Sequence, residues 1–193
     1  MKNRKIILAS ASPRRRELLQ MLGLPNLVVC PAKGEERAPE GADPEQIVCA
    51  LASAKAREVA EKSEKDALII AADTIVWLDG KMLGKPNSEE EAFLMLKSLS
   101  GKCHEVYTGV CVMEDNTVDC EAEKTLVHFR ELTDEEIFGY IRDGEPMDKA
   151  GAYGAQGKGA LFVRYIEGDF YNVVGLPVCR LGEMLARKGV IIL

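Results

Sequence analysis

The order of apolar and polar positions along the chain predicts strands and helices in turn, which is typical of a mixed α/β fold. The run Ala67–Ala72 is apolar without a break, as expected of a strand buried on both faces. Shorter apolar runs at Lys5–Ala9 and Leu27–Cys30 predict two more strands. His104–Met113 and Thr117–Phe129 predict two consecutive long strands.

Helical segments lie between these strands, and most are preceded by a residue that can cap them. Ser12 followed by Pro13 fits a helix start, and Gly23 fits the end of that helix. A long helix is expected from Asp43-Pro44 to about Lys62. The remaining predicted helix starts are a capping box at Ser88 and Glu91, another at Thr133 and Glu136, and the residue after Pro177.

Turns and the last part of the chain complete the predicted fold. Asp79-Gly80 fits the turn of a short hairpin, and the glycine-rich segment Asp148–Gly159 fits a loop. Two further strands are expected near Leu161–Ile166 and Tyr171–Val174. Because hairpins pair antiparallel strands, we predict a mixed central sheet flanked by helices.

Composition and charge narrow the class of protein. A length of 193 residues fits one domain, so we expect a single domain over residues 1–193. Apolar residues make up 47% of the chain and charged residues 29%, as in an ordinary globular protein. The net charge of −6 argues against general nucleic-acid binding. A local basic pocket in such an acidic protein suits a small anionic ligand.

Cysteine and histidine usage does not suggest a zinc site, because the six cysteines are scattered without a CxxC pair and the two histidines are isolated. We expect the cysteines in apolar segments to behave as free thiols and small hydrophobes. No apolar stretch has the length of a membrane span, and the run Ile6–Ala9 is too short for a signal peptide. We therefore expect a cytoplasmic protein that does not bind a membrane.

Three consecutive arginines, Arg14, Arg15 and Arg16, lie in the first turn of the helix that Ser12 caps. A helix N-terminus carries partial positive charge, so each cation there is unfavourable by about 0.3–1 kcal/mol. Free backbone N–H groups at the same place can bind phosphate. The segment points to a polyanion site, and the alternative is that the arginines are simply solvated.

Asp73 interrupts one of the most apolar stretches of the chain. A carboxylate in such surroundings is costly unless it is paired, hydrogen-bonded or bound to a metal ion. At a strand end it would lie where ligands bind in open α/β sheets. We favour a functional role over a structural aspartate that is satisfied by nearby backbone N–H groups.

Two lysines are weaker candidates for the same site. Lys55 shares a predicted helix face with Val48, Ala52 and Val59, so its side chain either extends outward to solvent or points into a site. Lys85 lies in Gly84-Lys85-Pro86, between a hairpin and a helix start. The preceding glycine spacing of a P-loop is absent.

Two loops offer further candidates. Glu35 and Glu36, together with Asp73, would supply oxygen ligands to a divalent cation that bridges substrate phosphates; the alternative is a solvated acidic loop. In the glycine-rich segment, Gln156 offers both a donor and an acceptor, as recognition of a base requires. The alternative there is a flexible surface loop.

Cations and acids at strand ends suggest phosphate chemistry on a nucleotide. The chain has no motif of a serine or cysteine nucleophile, and neither histidine lies in a motif that would make it a base. The simplest mechanism is direct attack by water that Asp73 or a metal ion activates.

Taken together, these segments resemble the Maf family of nucleoside triphosphate pyrophosphatases. The resemblance spans most of the chain, with the segments in the same order as in the family. The most specific of them are Leu8–Leu19 and Asp148–Gly157. The matching segments are Leu8–Leu19, Ala72-Asp73-Thr74, Gly84-Lys85-Pro86, Ser100-Gly101 with His104 to Thr108, Asp148–Gly157, and Val174-Gly175-Leu176-Pro177.

The resemblance implies an elongated Maf/ITPase-like α/β fold with its site in a cleft between two lobes. It implies hydrolysis of a nucleoside triphosphate to the monophosphate and pyrophosphate with Mg²⁺ or Mn²⁺. Asp73 matches the family's proton acceptor, and a trio of residues matches the branch that acts on dTTP and UTP: Arg14, Thr74 and Gln156. The positions that match phosphate contacts are Ser10, Arg14, Arg15, Lys55 and Lys85.

Some alternatives stay open at this point. Many relatives have Asp-Glu in the acidic loop, so either Glu35 or Glu36 is the metal ligand in this chain. Asp73 acts either as a general base or mainly as a metal ligand. The family resemblance implies a homodimer and a role in clearing unwanted nucleotides, with modified pyrimidine nucleotides as further candidate substrates. The rival hypothesis is a nucleotide-sensing regulator of cell division or septum formation in which turnover is incidental.

Overall fold

The structure is a computed structural model that describes residues 4–35, 37–115 and 117–193. In these ranges the strands are β1 Ile6–Leu8, β2 Leu27–Val29, β3 Leu68–Leu78, β4 Lys81–Leu83, β5 Cys103–Glu114, β6 Thr117–Phe129 and β7 Val163–Glu167. The α-helices are α1 Pro13–Met21, α2 Pro44–Ala60, α3 Glu89–Leu99, α4 Asp134–Arg142, α5 Phe170–Val174 and α6 Val178–Arg187. Short 3₁₀ turns cover Glu145–Asp148, Ala150–Ala152 and Lys158–Phe162.

The strands form one mixed sheet in the order β2-β1-β3-β5-β6-β7, with β4 paired to β3. Strand β1 runs parallel to both β2 and β3, whereas the β3–β4 and β6–β7 pairs are antiparallel. In the parallel pair, Leu8 is opposite Ile70. The predicted mixed sheet flanked by helices is confirmed.

The chain divides into two compact units, each with its own apolar core. Unit 1 comprises Met1–Asp73, Thr108–Glu123 and Gly175–Leu193, and unit 2 comprises Thr74–Tyr107 and Lys124–Val174. In unit 1, alanines and Val59 of α2 pack against alternate residues of β1, β3 and β5. In unit 2, α3 and α4 pack against each other and against the later part of β3 and of β6.

Local capping explains where several helices begin. Ser12 caps α1 by accepting a hydrogen bond from Arg15 N, and Pro13 is the first helical residue, as predicted. The capping box of Thr133 and Glu136 at α4 is complete. At α3 the box is only half formed: Ser88 accepts from Glu91 N, but the Glu91 carboxylate accepts from Asn87 N instead of from the cap.

The prediction of a strand at Tyr171–Val174 is wrong, because this segment belongs to helix α5. Tyr171 N donates to the Asp169 carboxylate at 2.7 Å, which starts the turn. Asn172 is buried and donates to Val106 O at 3.0 Å and to Thr125 Oγ1 at 2.9 Å. These long-range contacts override the strand preference of the valine and tyrosine side chains.

The expectation of free thiols is also wrong for two of the cysteines. Cys111 on β5 and Cys120 on β6 form a disulfide, with Cα atoms 4.1 Å apart. The pairing follows from the adjacency of β5 and β6 in the sheet, which CxxC spacing does not report. Cys30, Cys49, Cys103 and Cys179 are free. Among the described residues, no helix is both long and apolar enough to cross a membrane.

Candidate functional site

The turn between β1 and α1 is built around two serines of unit 1. Ser10 is buried, and its hydroxyl accepts a hydrogen bond from Ser12 N at 3.2 Å. Ser12 in turn accepts from Arg15 N at 3.4 Å as the cap of α1. The turn therefore presents the N-terminus of α1, whose partial positive charge favours an anion.

Arg15 is fixed within this turn. Its Nη1 donates to Ser10 Oγ at 3.2 Å, and its Nε donates to the carbonyl oxygen of Gly175 at 2.8 Å. The guanidinium thus joins the start of α1 to the segment that precedes α6, and it holds the Ser10 hydroxyl in place. Arg14 is partly buried, whereas Arg16 is exposed.

Lys55 and Asp73 form an ion pair inside unit 1. Lys55 Nζ on α2 contacts Asp73 Oδ1 on β3, and the two side chains are only 15% and 9% exposed. Lys55 therefore points inward, which was one of the two interpretations of its helix face. Because both charges are largely removed from water, the pair satisfies a carboxylate that would otherwise be costly in this strand.

Strand register places these groups level with the carboxyl end of β1. Leu8 lies opposite Ile70 in the parallel β1–β3 pair, so Ser10 is level with Ala72, the residue before Asp73. In open α/β sheets, ligands bind beyond the carboxyl ends of parallel strands, and β1 ends here at Leu8. Strand β3 continues to Leu78, so the expected position of Asp73 at a strand end is wrong: Asp73 lies in the middle of β3. Unit 1 therefore has a helix N-terminus, a fixed guanidinium, an ammonium group and a carboxylate level with the carboxyl end of β1.

The acidic loop, defined here as residues 33–35, is held by a residue that the sequence analysis missed. The Glu58 carboxylate of α2 accepts from Lys33 N at 3.0 Å and from Gly34 N at 2.8 Å. These two backbone N–H groups, with Lys62, lower the pKa of Glu58 to about 2. Glu58 lies about one helical turn after Lys55 on α2, and no local pattern in the sequence indicates its role.

The sequence predicts two metal ligands here, Glu35 in the loop and Glu36 directly after it, and only Glu35 lies in the described part of the chain. Glu35 is exposed, and its carboxylate accepts from Arg37 Nη2 at 2.7 Å. Glu36 lies outside the described residues. Within the described part of the chain, no three His, Cys, Asp or Glu side chains come together as a metal-binding group.

Unit 2 contains the other three predicted site residues. Thr74 follows Asp73 along β3 and is partly buried. Lys85 is exposed, and the carbonyl of the preceding Gly84 accepts from Gly151 N at 3.0 Å. Gln156 is exposed in the middle of the segment 154–159, whose end residues Gly154 and Gly159 are buried. We call this segment the Gln156 loop.

His104 is buried in unit 2 and does not serve as a base exposed to solvent. Its Nε2 lies 2.8 Å from Tyr153 Oη, and its ring packs edge-on against Phe129 and Tyr153. Burial lowers the pKa of His104 to about 3, so the ring stays neutral over the physiological pH range. This agrees with the absence of a histidine motif for catalysis.

A family model described as Maf-like protein matches residues 5–188. The chain belongs to the Maf family. A relative from Caldicellulosiruptor saccharolyticus, named dTTP/UTP pyrophosphatase, is 49% identical over 96% of this chain and 96% of its own. A Thermococcus kodakarensis protein of the same name is 53% identical over 90% and 91% of the two chains.

Another Maf relative with that name, from Bacillus cereus, is 51% identical over 95% of each chain. Among solved structures, a dITP/XTP pyrophosphatase from Mycobacterium abscessus is 16% identical, with a TM-score of 0.46 over 95% of this chain and 94% of its own.

Proposed function

We propose that this Maf protein hydrolyses dTTP and UTP to the corresponding monophosphate and pyrophosphate. The observation that carries the proposal is the buried Lys55–Asp73 pair, which lies level with Ser10 and the start of α1 beyond the carboxyl end of β1. Such a site offers positive charge to a triphosphate and a carboxylate to its attacking water. The names and high identity of the curated relatives support the same substrates.

The residues of unit 1 have different roles at the phosphates. Asp73 orients and deprotonates a water molecule that attacks the α-phosphorus, and pyrophosphate leaves. Lys55 holds the Asp73 carboxylate in place and contributes positive charge near the reacting phosphate. Ser10, Arg14 and Arg15 bind phosphate oxygens together with the N–H groups at the start of α1.

The remaining predicted site residues contact the rest of the substrate. Lys85 binds the phosphate chain, and Thr74 and Gln156 recognise the pyrimidine base. Gln156 fits this role chemically because its amide both donates and accepts hydrogen bonds, as the edge of a pyrimidine does.

A divalent cation, Mg²⁺ or Mn²⁺, completes the proposed site. The available oxygen ligands fit these ions, which are commonly held by one or two carboxylates and by substrate phosphates. Asp73 would be one ligand, and Glu35 or Glu36 the other. The ion would withdraw charge from the phosphates and lower the pKa of a bound water. We further propose that the protein is a cytoplasmic homodimer, and light scattering in solution tests the dimer.

The first test measures pyrophosphate release from a panel of nucleoside triphosphates, with and without Mg²⁺ or Mn²⁺. We expect metal-dependent release from dTTP and UTP, and loss of at least about 10³-fold in kcat in Asp73→Asn. Asp79→Asn is the matched control, because Asp79 lies in the exposed turn after the same strand and pairs with the Lys102 side chain.

Near-normal turnover in Asp73→Asn would remove Asp73 from the mechanism. Activity limited to purine nucleotides would contradict the assignment of Thr74 and Gln156. Tight nucleotide binding without release of pyrophosphate would favour the sensor of cell division over the enzyme.

A second test separates phosphate binding from helix stability. We expect Arg14→Ala to raise the KM for dTTP at least about tenfold, because one cationic contact to phosphate is lost. Arg16→Ala removes an exposed arginine from the same helical turn and should leave KM within about twofold. Equal effects of the two substitutions on KM would mean that Arg14 has no specific contact.

A further inference from the structure

The ends of the Gln156 loop lie so close together that Gly159 has no room for a side chain. A Cβ atom added to Gly159 would lie 2.4 Å from Gly154 O and 3.0 Å from Gly154 N. Between these ends, Gly157 has φ +84° and ψ −154°, a conformation that is open essentially to glycine alone. The loop therefore has a closed base, with Gln156 exposed at its tip.

Glu145 holds one side of this base. Its Oε2 accepts from Lys158 N at 3.1 Å, and its Oε1 accepts from Gly159 N at 3.4 Å. Both donors are backbone groups of the loop that immediately follow Gly157. The Glu145 backbone is itself fixed, because its carbonyl oxygen accepts from Lys149 Nζ at 2.5 Å.

Tyr140 of α4 holds the other side. Its hydroxyl accepts from Gly154 N at 3.2 Å and donates to Glu145 Oε1 at 3.0 Å. Burial raises the pKa of Tyr140, so the hydroxyl remains protonated and keeps donating. The Tyr140–Glu145 pair therefore binds three of the backbone N–H groups at the base of the loop, those of Gly154, Lys158 and Gly159.

From this arrangement we propose that Glu145 and Tyr140 are positioning residues that set the conformation of Gln156 and thereby the base selectivity of the enzyme. The proposal rests on the proposed function, in which Gln156 contacts the base. Neither residue needs to touch the substrate. Their effect is to hold the tip of the loop in one conformation before the nucleotide binds, so that binding does not have to order it.

The substitution Glu145→Gln tests the proposal with little change in size. An amide has one acceptor oxygen where the carboxylate has two, so at least one loop N–H group loses its partner. We expect the ratio of kcat/KM for dTTP to that for dGTP to fall about tenfold, mainly through a higher KM for dTTP. The backbone amides of Lys158 and Gly159 should exchange hydrogen about tenfold faster.

Glu136→Gln is the matched control in the same unit. Glu136 also binds a backbone N–H, that of Thr133, and forms an ion pair with Arg130, and both of these partners lie outside the Gln156 loop. Its substitution should change thermal stability while the selectivity ratio stays within about twofold. Equal loss of selectivity in both variants, or unchanged selectivity in Glu145→Gln, would overturn the proposal.

Two further measurements keep the test decisive. If Glu145→Gln does not fold, Tyr140→Phe removes only the hydroxyl and should lower the selectivity ratio about threefold; an unchanged ratio would overturn the proposal. Equilibrium binding of dTTP and dGTP measures selectivity without turnover. Absence of pyrophosphate release from the wild-type protein would therefore reject the proposed function, while the binding ratio of the variants still decides whether Glu145 positions the loop.

Discussion

The acidic loop of unit 1 and the Gln156 loop of unit 2 are fixed by the same chemical device in different surroundings. In each, a glutamate from another part of the chain accepts hydrogen bonds from two successive backbone N–H groups. Glu58 does this near the surface, with Lys62 beside it. Glu145 does it next to the buried hydroxyl of Tyr140 and the buried Gly154 and Gly159.

This difference shows that similar hydrogen-bond patterns can contribute unequally to the free energy of unfolding. Near the surface, water can replace a lost partner, and salt screens the ion pair. At the base of the Gln156 loop, the bond from Gly154 N to the Tyr140 hydroxyl is buried, so its loss leaves an N–H group without water, which costs roughly 1–3 kcal/mol. We therefore expect the Gln156 loop to tolerate substitution much less than the acidic loop does.

The largest contrast should come from adding one methyl group to each loop. Gly159→Ala would place a Cβ atom 2.4 Å from a backbone oxygen, so the free energy of unfolding should fall by roughly 1–3 kcal/mol or more. Gly34→Ala places its Cβ atom 3.0 Å from the end of the Glu58 side chain, which can rotate away. Its cost should stay below about 1 kcal/mol. Urea unfolding of both variants measures the contrast, and equal costs would contradict it.

Tyr140→Phe should have an intermediate effect. The substitution keeps the aromatic packing against Phe162 but leaves the buried Gly154 N–H without its acceptor. We expect the free energy of unfolding to fall by roughly 1–3 kcal/mol. Tyr165→Phe, at an exposed position in the same unit, is the control and should change stability by less than about 0.5 kcal/mol. A neutral Tyr140→Phe variant would show that water reaches the base of the loop.

The smallest effect should come from Glu58→Gln, and it should depend on pH. The pKa of Glu58 is lower in the folded state than in the unfolded state, so its stabilising contribution is present above about pH 4.5 and is lost as the pH falls towards 2. The stability difference between the wild type and Glu58→Gln should therefore shrink over this range. The pKa of Glu136 is also lowered to about 2, but Glu136 is present in both the wild type and Glu58→Gln. Its contribution therefore cancels in the stability difference between them. A stability difference that is constant with pH would contradict the lowered pKa of Glu58 in the folded state.

Local rules were sufficient to predict part of the fold and of the candidate site. The start of α1 at Ser12 and the capping box at Thr133 depend on residues within four positions of each other. Asp73 is conspicuous because a charge in an apolar strand needs a partner. The identity of that partner, Lys55, depends on how α2 packs against β3, so the sequence left two orientations open for it.

Other features depend on contacts that are distant along the chain. Glu58 binds backbone groups that lie 24 and 25 residues before it, and Glu145 binds groups that lie 13 and 14 residues after it. The Cys111–Cys120 pairing depends on the adjacency of β5 and β6 in the sheet, and α5 depends on Asn172 reaching Val106. Backbone donors have no side-chain identity, so no residue pattern in one sequence reports which carboxylate will bind them.

The disulfide leaves two exposed free thiols in the native chain. With Cys111 and Cys120 joined, the exposed thiols are Cys103 in unit 2 and Cys179 in unit 1, and the other two thiols are partly buried. Spectroscopic labels attached to these two thiols under non-reducing conditions would therefore place one label in each unit without any engineered cysteine. The signal of each label on adding dTTP would report separately how its own unit responds to the nucleotide.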